Sequence, residues 1–238
     1  MCTLTYLPEG DDMALVSSRD ETRSRGGMRP IALDPLLSAY YPLDEHGKGT
    51  WFYVAPSRYT LVVLNGGHVP HERVLPYRHS RGLVPFHFAT FPNADTFTAG
   101  YDFHDLEPFT LVVIEEAPRV VRSIVWTGER ADHVLHAPHR PRVWSSTTLY
   151  DAAARGRRES WFHAALNAPF GGNAVDRLLQ FHRDGGSSWP DQGERILMQR
   201  GEDLGTVCHV GLERRTGNTR LYFHDLAKTE EQWTAMTN

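Results

Sequence analysis

The longest aliphatic runs of the chain are Leu61-Val62-Val63-Leu64 and Leu111-Val112-Val113-Ile114. Successive strand residues point to opposite faces, so a strand that is apolar throughout must be covered on both. This requirement constrains the fold more than any other feature. The first run belongs to TWFYVAPSRYTLVVLNGG, which reads as two strands around a Pro-Ser turn, closed by Asn65-Gly66-Gly67. Residues 2–7 alternate and stop at Pro8-Glu9-Gly10, and an apolar run resumes over 14–18, giving a hairpin at the start of the chain.

FTLVVIEE, VVRSIVWTGERADHVLH and RVWSSTTL read as three further strands, and GTVCHVGLER and TRLYFHDL as a late pair meeting at Thr216-Gly217-Asn218. Residues 81–106 have the spacing of two short helices, with Pro85 near a helix start. Asp151–Leu166 and Asn173–Arg183 are the strongest helical segments, the second opened by an Asn suited to an N-cap. Thr229–Met236 is expected to form a short terminal helix. No internal repeat or linker divides the chain. The expectation is one domain over 1–238, of α+β class, with two β layers covered by helices.

A net charge of −4 with both signs interspersed lacks the basic excess of a nucleic-acid binder. Aliphatic runs of four residues fall far short of the roughly 20 that a membrane-spanning helix needs. Glu9, Asp11 and Asp12 arrive too early for a secretory signal, and Cys2 and Cys208 are the only cysteines. A cytoplasmic protein without a membrane span is expected, with a small acyl or amide compound as its partner.

Cys2 directly follows the initiator Met. If Met1 is removed, one residue carries both a thiol and a free α-amine, whose reference pKa near 8 suits it to take the thiol proton. The next hairpin strand can bring Arg19 and Asp20 beside it, Arg19 to favour the thiolate and Asp20 to hold the ammonium.

The opening Met1-Cys2-Thr3, then Ser18-Arg19-Asp20-Glu21, Gly49-Thr50-Trp51, Leu64-Asn65, Ser80-Arg81-Gly82-Leu83, Ser145-Ser146-Thr147-Thr148-Leu149 and Gly205-Thr206-Val207 follow one another over residues 1–225. This ordered set resembles the NRDE family, which includes the transport and Golgi organisation protein 2 homologues, among the N-terminal-nucleophile (Ntn) hydrolases. The resemblance implies a four-layer αββα sandwich with Cys2 as nucleophile on a central strand and Arg19 and Asp20 as its partners. It also implies Asn65 as a donor to the acyl oxygen, and a substrate pocket bordered by Ser18, Ser146 and Thr147. Ser18 replaces the Asn that names the family, Lys48 stands where a glycine is usual, and Ala55-Pro56 where an asparagine is common.

Two functions follow from the resemblance: hydrolysis of a linear C–N amide bond by Cys2, and non-enzymatic binding of haem or an acyl-lipid or acyl-CoA on the same fold. In the second, Cys2 is an axial thiolate or a pocket wall. No cofactor is required by the first, and haem is a ligand only of the second. The aromatic stretch 85–103 is expected mainly in helix packing, with a pocket mouth as its other use. Arg23, Arg25 and Arg29 form a basic Gly-containing loop, read as solvated. The spaced histidines His68, His71, His133, His136 and His139 do not share a face in a strand, and Pro70, Pro138 and Pro141 preclude a helix that would align them, so no metal site is expected.

Overall fold

The computed structural model describes residues 2–25 and 27–236, Cys2 through its backbone alone. In chain order the strands are β1 (Cys2–Glu9), β2 (Asp12–Thr22), β3 (Met28–Asp34), β4 (Ala39–Asp44), β5 (Phe52–Ala55), β6 (Tyr59–Asn65), β7 (Phe109–Glu116), β8 (Arg119–Trp126) and β9 (Ala131–His136). They continue as β10 (Arg142–Ser145), β11 (Gln199–Arg200), β12 (Leu204–Arg215), β13 (Asn218–Asp225) and β14 (Glu231–Ala235). Helices α1 (Val84–Phe88) and α2 (Ala94–Gly100) lie between β6 and β7, and α3 (Ala152–Asn167) and α4 (Ala174–Asp184) follow β10. The fold is α+β with two antiparallel sheets. The described residues fall into two compact units: 2–25, 139–146 and 150–236 in the first, 27–138 and 147–149 in the second.

The first unit holds the sheet β10-β1-β2-β12-β13-β14, with β11 on β12. Its β1–β2 hairpin turns at Gly10, where φ is +63° and a side chain would be strained. Alternation along β2 sends Ala14 and Val16 to one face, where they pack with Phe162 of α3 and Val175, Leu178, Leu179 and Phe181 of α4. Both helices start as their sequences dictate. The Asp151 side chain accepts from Ala154 N at 2.8 Å and Asn173 accepts from Asp176 N at 3.0 Å.

The second unit is a meander, β3 to β9 in sequence order. Its central strands β6 and β7 bury the two all-apolar runs. Leu61, Val63, Leu111 and Val113 share one core with Phe88 of α1 and Phe97 of α2. The aromatic residues of 85–103 are spent largely on that core. Two sequence motifs meet here: a Cβ on Gly49 would lie 2.4 Å from the Gly82 carbonyl carbon, and Thr50 N donates to Gly82 O at 2.8 Å. Only glycine allows these two backbones to touch.

Three expectations are corrected. The terminal segment is strand β14, paired along β13 from His224↔Glu231 to Arg220↔Ala235. Residues 120–136 form two strands: Gly128, at φ +101°, turns the chain, and Thr127 Oγ1 accepts from Glu129 N and Arg130 N at 3.3 and 3.2 Å. The basic stretch is solvated as expected, with Arg23, Arg25 and Arg29 all exposed, but it is not one loop: Arg23–Arg25 form a 3₁₀ turn and Arg29 sits in β3, its Nε donating to Glu45 at 2.7 Å. Among the described residues no helix is long and apolar enough to cross a membrane.

Candidate active site

The β1–β2 register sets Cys2 opposite Arg19 and Thr3 opposite Ser18. Directly opposed residues share a face of the sheet, so Arg19 holds the cross-strand position of Cys2, whose thiol lies outside the described residues. Arg19 is buried, and its Nη2 donates to Glu21 Oε2 at 3.2 Å. Glu21 also lies 3.6 Å from Arg25 Nη1. Arg19, Glu21 and Arg25 thus form a charge chain at this end of β2.

Asp20 points to the opposite face of β2 from Arg19. Its carboxylate is fully buried: Oδ2 accepts from the Tyr150 hydroxyl at 2.9 Å and Oδ1 from Thr206 Oγ1 at 2.7 Å. Thr206 stands directly across from Asp20 on β12, and its Oγ1 in turn accepts from Met198 N at 2.9 Å. Burial pushes the Asp20 carboxyl above the usual range, against the opposing pull of the Arg158 charge and of the two hydroxyl donors.

Arg158 is a wholly buried guanidinium on α3, stacked 3.4 Å over the Tyr150 ring. It donates to Thr3 Oγ1 at 2.5 Å, Ser145 Oγ at 3.4 Å and Glu194 O at 3.0 Å, and also to Arg195 O. The residue that follows Cys2 is therefore fastened to a buried cation.

Ser18, fully buried, sits 2.5 Å from Nδ1 of His182, whose Nε2 lies 2.9 Å from Thr5 Oγ1. His182 comes from α4 and meets the His209 ring edge-on at 5.8 Å. Burial, helped by His209 and Arg158, holds His182 well below the usual imidazole range, and burial with Arg183 and His224 brings His209 down to about 3. Both rings are neutral at physiological pH. Among the described residues, neither nitrogen of His209 has a hydrogen-bond partner.

Ser146 is buried in the first unit and its carbonyl accepts from Tyr150 N at 3.1 Å. In the second unit, Asn65 ends β6 opposite Phe109, and Thr147 Oγ1 donates to Gly67 O at 3.1 Å. Gly66 has φ +89°, and a Cβ there would fall 2.0 Å from Thr147 Oγ1, so the Asn65-Gly66-Gly67 turn admits no side chain at its middle.

The residues around Asp20 that sequence reasoning missed had a signal. Thr206 is the middle of Gly205-Thr206-Val207, and Tyr150 directly follows the Ser145–Leu149 run. Arg158 occupies the buried stripe of α3 with Ala154 and Phe162, where an apolar residue is the rule. The spaced histidines are used singly: His68 bonds Asp132 at 3.0 Å, His136 bonds Ser123 at 2.8 Å, and His133 bonds Thr98. Among the described residues, no three His, Cys, Asp or Glu side chains are grouped to hold a metal ion.

No family model matches the chain, and no curated protein matches it. Among solved structures it is similar to two variants of the conjugated bile acid hydrolase from Clostridium perfringens, at 9% and 8% identity and TM-scores of 0.54 and 0.55. Each of these comparisons covers 99% of this chain and 92% of the other. It is also similar to the Caenorhabditis elegans ortholog of an N-acylethanolamine-hydrolyzing acid amidase, at 12% identity and a TM-score of 0.52, over 89% of this chain and 92% of that one. The fold is Ntn-hydrolase-like. Within this Ntn-hydrolase-like fold, the Cys2–Arg19 register belongs to the hairpin that opens the chain.

Proposed function

We propose that the chain is an N-terminal-cysteine amidohydrolase of the NRDE type, cleaving a linear C–N bond in a small acyl amide. The observation that carries this reading is the pairing of Cys2 with a buried, carboxylate-held Arg19 in a fold similar to those of two amide hydrolases. Removal of Met1 would free the Cys2 amine, which accepts the thiol proton. The thiolate attacks the acyl carbon, the C–N bond breaks, and the same proton leaves with the departing amine. Water then attacks the thioester with the α-amine as base, releasing the acid and restoring the thiol. Arg19 favours the thiolate electrostatically, and Glu21 keeps its guanidinium in place. Asn65 retains the role of donor to the acyl oxygen that the family resemblance implies.

Asp20 has a supporting part in this reading. With both oxygens taken by Tyr150 and Thr206, it ties β2 to β12 and to the segment preceding α3. Arg19 and its strand are thereby fixed.

The test is intact-protein mass spectrometry of Met1-free protein after treatment with an electrophilic β-lactone. One adduct on Cys2, absent in Cys2→Ala and slowed at least about tenfold in Arg19→Met, is the expected result. Failure to label Cys2 while a known Ntn cysteine enzyme is labelled alongside would overturn the proposal.

A further inference from the structure

The largest side chain wholly shielded from solvent among the described residues is a charged one, Arg158. Its guanidinium donates to neutral oxygens: Thr3 Oγ1 at 2.5 Å, Ser145 Oγ at 3.4 Å, Glu194 O at 3.0 Å and Arg195 O. Among the described residues, no carboxylate stands within hydrogen-bond distance of it. A buried charge without a counter-ion is costly to keep. A methionine would fill the same stripe of α3, beside Ala154 and Phe162, without that cost.

The partners of Arg158 are the sequence neighbours of the site pair. Thr3 follows Cys2, and Ser145 stands directly across from Thr3 on β10, so Nη1 holds both strands at the rung next to the thiol residue. Tyr150, on whose ring Arg158 stacks at 3.4 Å, donates its hydroxyl to Asp20. Asp20 follows Arg19, the residue across from Cys2. Arg158 thus reaches β1 directly and β2 through one intermediary.

We propose, resting on the amidohydrolase reading of Cys2, that Arg158 is a positioning residue for this nucleophile, acting through Thr3 on β1 and through Tyr150 and Asp20 on β2. Its first effect is mechanical. With Thr3 and Ser145 fastened to one fork, the start of β1 keeps a single geometry, which a nucleophile needs if it is to meet its target aligned.

The second effect is electrostatic. A cation in a buried layer favours the deprotonated form of its neighbours, and the Arg158 charge pulls in that direction on Asp20, Tyr150 and His182. The same field favours a thiolate and an uncharged amine at the chain start. On the Cys2 face of the sheet the charged and titratable groups are Arg19, Glu21 and Arg25, with Cys208 across from Arg19 on β12. On the helix face they are Asp20, Tyr150, the neutral His182 and Arg200, which lies 5.5 Å from the Tyr150 ring. Glu21 offsets Arg19 at 3.2 Å, whereas no described carboxylate stands so near Arg158.

The experiment labels Met1-free protein with the β-lactone across about pH 5 to 9 and follows the Cys2 adduct by intact mass. Thr3→Val keeps the charge and removes one of its acceptors. Its plateau rate should fall at least about threefold, with the midpoint within about 0.2 pH unit of wild type. Arg158→Met removes the charge as well. Its plateau should also fall, and its midpoint should rise by at least about 0.5 pH unit, a shift that a loss of packing alone does not produce. Circular dichroism at the labelling temperature shows whether each variant is folded. A folded Arg158→Met with the wild-type midpoint overturns the proposal. If that variant does not fold, Thr3→Val decides, and a wild-type plateau overturns it. Absence of any Cys2 label on the wild type overturns the amidohydrolase reading itself, whereas normal wild-type labelling with unchanged variant profiles overturns the role of Arg158 alone.

Discussion

The Tyr150 hydroxyl lies 2.9 Å from Asp20 Oδ2, and both residues are completely buried. Tyr150→Phe leaves the carboxylate with Thr206 as its remaining side-chain donor, at a cost of about 1.5–3 kcal/mol for a hydrogen bond to a charged group. Asp20 holds its proton more tightly in the folded than in the unfolded chain, because its carboxyl is raised above 3.8 by burial. Its contribution is therefore most favourable below 3.8 and declines as pH rises through the folded-state value. The loss in Tyr150→Phe should accordingly be larger at pH 7.5 than at pH 4, measured by urea unfolding of mutant and wild type at both.

Acid should unfold the first unit through its two buried imidazoles. With His182 well below 6.5 and His209 at about 3, the unfolded chain binds protons that the native state does not, so stability is full above 6.5 and falls as pH drops toward 3. Each group contributes a slope of about 1.4 kcal/mol per pH unit within that window. His209→Leu removes a ring whose nitrogens have no partner among the described residues. It should leave stability at pH 7.5 within about 1 kcal/mol of wild type or above it, and reduce the dependence between pH 6.5 and 4 by about half.

Arg158→Met should cost about 3–5 kcal/mol, the range for removing a buried charge that others were arranged around. Arg158→Lys should recover little, since a single ammonium cannot reach Thr3 and the Glu194 and Arg195 carbonyls as a fork does. Thermal unfolding of the two variants checks both statements.

Two Gly→Ala changes should act in opposite directions. Gly49→Ala drives a Cβ to 2.4 Å from the Gly82 backbone and should destabilise by about 2 kcal/mol or more, whereas Gly156→Ala meets nothing within 4 Å in the middle of α3 and should stabilise by roughly 0.5–1 kcal/mol. Melting temperatures of the pair suffice.

Elements announced by local chemistry could be read from the sequence. The N-caps Asp151 and Asn173 mark their helices within a residue, and Gly10 and Gly66 mark the turns they occupy. The edge strands β3 and β14 could not be read: β3 buries Ile31 alone among its residues and carries no alternation. β14 looks helical by its Glu, Gln and Ala content. It is a strand because β13 offers it unpaired backbone groups and because Trp233 packs on Tyr222 at 5.0 Å under the Arg220 guanidinium at 4.3 Å. At the site, Arg19 and Asp20 were visible as neighbours in sequence. Their separation to opposite faces of β2 follows from strand geometry, but the buried hydroxyls that receive Asp20 come from residues 130 and 186 positions away. The motifs that contain Thr206 or adjoin Tyr150 mark those positions, but no local pattern pairs them with Asp20.

The first strand is not an edge. Thr3–Tyr6 pair with β2 on one side and with Ser145–Arg142 of β10 on the other. Chain ends ordinarily fray, and their amide protons exchange with solvent almost freely. Here the amides just after Cys2 are enclosed between two ladders, so releasing them means parting the sheet, an event near the top of the molecule's opening free energies. Their hydrogen exchange should be among the slowest in the first unit.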